Sequence, residues 1–438
     1  MKLAAFFLLP ALLRETVAYT ALSDTSLHAL SPATDSDFDI KDGKLLAPIL
    51  IPRVPGTPGS EKVLRHFIDF FTNNLPEWRL SFQNSTSTTP TSHGKEIPFV
   101  NLIATRDPPW ILDGHEGEVG RLALVAHYDS KLTPTGFIGA TDSAAPCAML
   151  LHVAQSLDVS LTKKWASMEA EGAGSGLEDH KGLQIILLDG EEAFQTWTHT
   201  DSLYGARALA EEWEDTMHPA MSTYKNPLDS IDLFVLLDLL GSAEPTVPSY
   251  FRTTHWAYQL MASVEERLRA AKVLPGSPKK SFLPEAEKDE SSRWLGGYIE
   301  DDHLPFMARG VEILHLIASP FPHVWHTKDD DGEHLDIPTV QDWATITAGF
   351  AAEWMDLEGF LEGKSERRWE EEKSEQSQES PVYGDAVESL SQMQGAFEVF
   401  VLQDQMTIEP IRIAPVSEKR GRAKEVDRES RSFALDVT

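Results

Sequence analysis

Between about residues 45 and 360 the chain alternates two hydrophobic rhythms. Apolar runs at 99–104, 121–126, 183–188, 231–240 and 311–317 have the length and composition of buried strands. Stretches at 144–157, 203–213 and 256–271 instead repeat apolar residues at helical spacing. An earlier helical stretch sets Val63, Phe67, Phe70 and Phe71 on one face, and another over 339–361 closes the pattern. Strands interleaved with helices predict an α/β fold, with a sheet covered by helices on both faces. No internal repeat is present.

The rhythm stops at both ends. Lys2, the apolar residues 3–13 and the small residues of Thr16-Val17-Ala18 read as a secretory signal over 1–18. Its apolar core is too short to span a bilayer, and a short signal-anchor is the alternative. Residues 19–44 are polar and read as a mobile segment before a folded domain over 45–362. Within that domain, 160–181 (rich in Gly and Glu) and 275–290 (rich in Pro, Lys and Glu) read as insertions. From 363 to 438 the composition shifts to Glu, Ser, Gln, Lys and Arg, the signature of a mostly disordered, charged tail. One apolar patch, 396–402, could dock back as a strand. No stretch after the leader reads as a membrane span.

Composition narrows the partners. Of 438 residues 41% are hydrophobic, ample for a core, and the net charge is −31. Such acidity opposes nucleic acid and anionic membranes as partners. With the leader, it suits a soluble protein of the secretory pathway, either secreted or retained in the Golgi. The single cysteine, Cys147, allows no intramolecular disulfide. Asn84-Ser85-Thr86 is a glycosylation sequon, and its Ser/Thr/Pro-rich surroundings suggest a loop.

The chemistry gathers where apolar runs end. The run 183–188 leads into Asp189-Gly190-Glu191-Glu192. Adjacent carboxylates repel, and a chain keeps them mainly where a cation or proton transfer stabilises them. His127-Tyr128-Asp129-Ser130-Lys131 follows the run 121–126, and Gly139-Ala140-Thr141-Asp142-Ser143 precedes a helix. Asp238 interrupts a run of leucines, where an unpartnered acid is costly to bury. Trp325-His326-Thr327 comes after Ser319-Pro320-Phe321-Pro322. Singly, each has a plainer explanation: a packed histidine, a helix cap at Asp142, a solvated face at Glu191-Glu192. Jointly they read as a metal enzyme, because groups past the carboxyl ends of strands in an open α/β sheet converge in one crevice. Oxygen and imidazole donors without thiolate suit catalytic zinc. Glu300-Asp301-Asp302-His303 reads either as a solvated turn or as proton-carrying or amine-binding groups. His315 lies inside a strand-like run.

The runs 127–131, 139–143, 189–194, 201–205, 236–241, 300–306 and 319–327 closely resemble the glutaminyl-peptide cyclotransferase (glutaminyl cyclase) family, in its animal and fungal zinc type related to zinc aminopeptidases. The resemblance spans about residues 45–360. It implies a single globular domain with a central mixed, mostly parallel sheet flanked by helices. It implies one zinc ion per chain held by Asp142, Glu192 and His326, with Glu191 as the proton-transfer residue. Asp238 and Asp301 would form an acidic network beside Glu191. Trp197, Ile299, Phe321 and Trp325 would line the substrate pocket, with Glu300 on its wall and His315 behind. The implied substrates are peptides and proteins with N-terminal glutamine, glutamate being poorer, and the implied state is a monomer. Two departures stand out. Ala126 and the lone Cys147 leave no disulfide at the site where animal cyclases carry one, and the segment 131–139 is short.

Two other readings compete. His127, Asp142, Glu192, Asp238 and His326 also match, in order, the ligands of a two-zinc aminopeptidase. A non-catalytic binding ectodomain of the same fold is the second; the intact ligand set and Glu191 argue against it.

Overall fold

The computed structural model of the protein describes residues 20–172, 180–289, 291–294 and 299–361. The leader expected over 1–18 and the tail over 363–438, with its apolar patch, lie outside these residues. Among the described residues six strands form one sheet: β1 Arg79–Thr88, β2 Glu96–Arg106, β3 Val119–His127, β4 His180–Leu188, β5 Ile231–Asp238 and β6 Ile313–Ile317. The helices are α1 Asp24–Ala29, α2 Asp35–Phe38, α3 Pro58–Asn74, α4 Ala145–Ala170, α5 Tyr204–Asp215, α6 His255–Ala270, α7 His303–Met307 and α8 Ile337–Trp354. The strand order is β1-β2-β4-β3-β5-β6. β1 and β4 run antiparallel to β2, whereas β4, β3, β5 and β6 are mutually parallel. The sheet is therefore mixed and mostly parallel, and the carboxyl ends of its four parallel strands share one side.

Two cores follow from the period-2 alternation of those strands. Leu122 and Leu124 of β3, Leu183, Ile185 and Leu187 of β4, and Leu233, Val235 and Leu237 of β5 face α3, α4, α6 and α8. The intervening Ala123, Val125, Ile186, Leu188, Phe234 and Leu236 face α5 and α7. All nine residues of β3 are buried, as a parallel strand covered on both faces requires.

Three regions differ from the sequence expectation. The helix expected over 144–157 continues to Ala170, because Leu157, Leu161 and Trp165 stay buried at four-residue intervals while their neighbours turn polar. Residues 160–170 are thus helix, not insertion. That same helix, with the turn before it, is long and apolar enough to cross a membrane, yet 83% of its most apolar window is buried inside the fold, so it is accounted for as a core helix. The sequon lies in β1, with Asn84 exposed and paired in register with Val100, rather than in a loop. Residues 20–44 carry α1 and α2, and Leu22, Leu27, Leu30 and Phe38 join the main core, a packing that their polar composition does not suggest.

Candidate metal centre and pocket

The site assembles from loops at the carboxyl ends of β3, β4 and β5, from the turn before α4 and from the loop after β6. At the end of β4 the chain turns sharply at Gly190. Its φ of 79° is left-handed, and a Cβ there would meet Phe99 Cδ1 at 2.4 Å, so only glycine fits. The turn delivers Glu191 and Glu192 together. Asp129, just past β3, holds their backbone: its Oδ1 accepts the Glu191 N–H at 3.0 Å and its Oδ2 the Glu192 N–H at 3.2 Å. The buried Arg53 braces the other side by donating to the carbonyls of Tyr128, Ile138 and Gly139, next to the turn that carries Asp142.

Asp142, Glu192 and His326 converge. His326 Nε2 lies 3.4 Å from Asp142 Oδ2 and 3.4 Å from Glu192 Oε1. Three donors each about 2.0–2.2 Å from one tetrahedral ion are spaced in this way. Glu192 Oε1 is buried with no hydrogen-bond partner among the described residues, while Lys131 Nζ holds Glu192 Oε2 at 3.0 Å. Burial would raise Asp142, but hydrogen bonds from His127 and His326 outweigh it and keep the carboxyl below its usual range. Burial would lower His326, yet Asp142 and Glu192 raise it to about 9. Donors that stabilise positive charge so strongly, around an unpartnered buried oxygen, fit a divalent cation.

Behind this triad, His127 Nε2 lies 3.0 Å from Asp142 Oδ1 and 3.6 Å from Asp238 Oδ1. Its Nδ1 faces Asp129 Oδ1 at 3.3 Å, and Ser143 Oγ donates to Asp238. Glu191 is buried, and burial pushes its carboxyl well above the ordinary range; His127 opposes the shift, while Glu192, Asp301 and Asp302 add to it. Burial likewise raises Asp238 and Asp301.

A cavity of about 310 Å³ opens beside the triad. Of the residues expected around it, Asp142, Glu191, Trp197, Asp238, Ile299, Glu300, Phe321, Trp325 and His326 line it. Trp325 stacks on the His326 ring at 3.9 Å, and Phe321 meets Trp325 edge-on at 4.8 Å. Trp197 donates from Nε1 to Glu300 Oε2 at 2.8 Å. Asp201 shapes the loop before it, accepting the N–H groups of Phe194, Gln195 and Thr196 at 2.9–3.0 Å. Asp301 and His315 do not line the cavity. They pair behind it, His315 Nε2 to Asp301 Oδ2 at 2.7 Å, and burial pushes His315 down to about 4. Lys131, Leu239 and Ile317 also border the cavity, and sequence reasoning had not assigned them there. Lys131 follows the His-Tyr-Asp-Ser run, but its partner lies 61 residues away. Arg53, Asp129 and Asp201 were missed as positioning residues because most of their partners are backbone groups.

Comparisons with known proteins identify the family. The profile of Peptidase family M28 matches residues 111–351. The chain is 41% identical over 317 residues to the glutaminyl-peptide cyclotransferase-like protein of Bos taurus, covering 71% of this chain and 74% of that one. It is 39% identical over 319 residues to the glutaminyl-peptide cyclotransferase of Boiga irregularis, covering 71% and 80%. The crystal structure of Macrostomum lignano glutaminyl cyclase superposes with a TM-score of 0.62 at 29% identity, covering 78% of this chain and 96% of that one. The chain belongs to the glutaminyl-peptide cyclotransferase family, within peptidase family M28.

Proposed function

We propose that the protein is a zinc-dependent glutaminyl-peptide cyclotransferase, which closes the N-terminal glutamine of peptides and proteins to pyroglutamate and releases ammonia. The observation that carries the proposal is Glu191: a buried carboxylate of raised pKa on the wall of a small aromatic pocket, next to three converging metal-type donors. Asp142, Glu192 and His326 would hold one zinc ion per chain. When bound, zinc supplies Lewis acidity toward the substrate's side-chain amide oxygen.

The substrate's own α-amine attacks its side-chain amide carbon, so no activated water is needed. Glu191 takes a proton from that amine and delivers it to the departing nitrogen, which leaves as ammonia. A base of raised pKa suits both halves of the transfer. Asp238 and Asp301 form the acidic network beside Glu191, and His315 pairs with Asp301 and orients it. Trp197, Ile299, Phe321 and Trp325 exclude water and keep the glutamine side chain folded back on its amine. N-terminal glutamate is a poorer substrate, because it offers no good leaving nitrogen.

The remaining assignments rest on sequence: a signal over 1–18, a catalytic domain over 45–362 to whose core residues 20–44 add α1 and α2, a charged tail over 363–438, and a secreted or Golgi-retained monomer glycosylated at Asn84, not held in a membrane once the leader is removed. The net charge of −31 argues against nucleic acid.

A second grouping, His127, Asp142 and Asp238, keeps the two-zinc aminopeptidase in view. Metal analysis of the purified protein separates the two. One zinc per chain is expected; two tightly bound zincs, with amino acids released from peptides, would support the peptidase.

A further inference from the structure

Among the described residues four carboxylates border the cavity: Asp142, Glu191, Asp238 and Glu300. The first three are buried at 3%, 7% and 6% exposure, whereas Glu300 is exposed. The buried three already have work in the site. Asp142 contacts His127 and His326, Asp238 accepts from Ser143, and Glu191 adjoins the triad. Glu300 touches none of this chemistry. One of its oxygens accepts the Trp197 indole N–H at 2.8 Å, which fixes the carboxylate against a pocket-lining ring. Among the described residues no cation pairs with Glu300. Lys131 is, among the described residues, the one basic side chain other than His326 on the cavity lining, and it is committed to Glu192 at 3.0 Å.

The cavity, about 310 Å³, has room for the first residue of a peptide, with space left toward the second. That residue must turn its amine and its amide inward, toward Glu191 and the triad. The second residue then leaves across the rim, where Glu300 stands. We propose that Glu300 is a specificity-determining residue, favouring substrates with a basic residue directly after the N-terminal glutamine and disfavouring those with an acidic one. The inference rests on the cyclotransferase reading and adds to it the class of peptide that the site prefers. Specificity of this kind is a difference between attraction and repulsion at one place. Exposed charge pairs are individually weak, so a Lys peptide should exceed a Glu peptide by about three- to tenfold in kcat/KM. Screening should erase most of that at about 1 M salt, where the Debye length is about 3 Å.

The test uses the full-length zinc-bound protein and three otherwise identical peptides beginning Gln-Lys, Gln-Ala and Gln-Glu, followed by ammonia release. The expected order is Lys, Ala, Glu, with the spread collapsing at high salt. Glu300→Gln keeps an acceptor for Trp197 and should bring the Lys-to-Glu ratio close to one; Glu300→Lys should invert it. Glu77→Gln removes one exposed charge away from the cavity lining and should leave the ratio as it was, which separates Glu300 from the overall charge of the chain. A parent ratio of one, or an unchanged ratio in Glu300→Gln, overturns the proposal. Ammonia from none of the three peptides overturns the cyclotransferase reading itself, and this inference with it.

Discussion

Two acid–histidine clusters in this domain use the same residue types to different ends. In Asp142–Glu192–His326 the His326 Nε2 stands 3.4 Å from an oxygen of each carboxylate, Glu192 keeps an oxygen with no hydrogen-bond partner among the described residues, and His326 is a quarter exposed on the cavity. In Asp301–His303–His315, Asp301 and His315 already meet at 2.7 Å, all three residues are buried, and none borders the cavity. A gap of 2.7 Å is bridged by a proton, while a 3.4 Å gap between converging donors suits an ion. Room between donors and access from solvent, more than the presence of Asp, Glu and His, distinguish the first cluster as the proposed metal centre.

Removing a donor from each cluster should break the comparison most visibly. His326→Ala should lose bound zinc and turnover together, whereas His303→Leu should keep its zinc. Stoichiometric zinc in purified His326→Ala would contradict the assignment of the triad. Next in size is Glu191→Gln, which leaves the triad intact. It should lower kcat by about 10²–10⁴-fold, the usual weight of a positioned acid–base, with zinc still bound. An unchanged rate of ammonia release removes Glu191 from its role.

The smallest effect concerns the closed cluster. Burial, reinforced by His315, pushes His303 down to about 3, against about 6.5 in an unfolded chain. With the folded value depressed, its contribution to stability is full above about pH 6.5 and is lost as the pH falls toward the folded value. His303→Leu should therefore flatten the loss of stability on acidification below about pH 6.5, by at most about 1.4 kcal/mol per pH unit. The readout is the slope of denaturant-unfolding free energy against pH. Parent and variant slopes that coincide would show that His303 does not carry this linkage.

Much of the architecture was legible because β3, β4, β5 and β6 are nearly continuous apolar runs, and their ends mark the site. β1 was not legible, since an edge strand rich in Ser and Thr, with Gln83 as its one buried residue, has the composition of a loop. Residues 20–44 hid their packing for a related reason: Leu22, Leu27 and Phe38 are spaced among polar residues with no sustained period. At the site, Asp142, Glu191, Glu192, Asp238 and His326 stood out as acids and a histidine at the ends of apolar runs. Which glutamate binds and which moves a proton came from family resemblance, not from the pattern. The geometry is compatible with that proposed division: Glu192 Oε1 faces His326 at 3.4 Å while Glu191 lines the cavity. The bracing by Lys131, Asp129 and Arg53 depends on contacts across 61 to 86 residues of chain, which no local pattern records.

The most direct test of the central claim is one incubation of the zinc-bound protein with a Gln-peptide and a Leu-peptide together, followed by mass spectrometry. The expected result is a pyroglutamyl peptide lighter by one ammonia, with the Leu-peptide intact. Free leucine released while the Gln-peptide remains unchanged would contradict it.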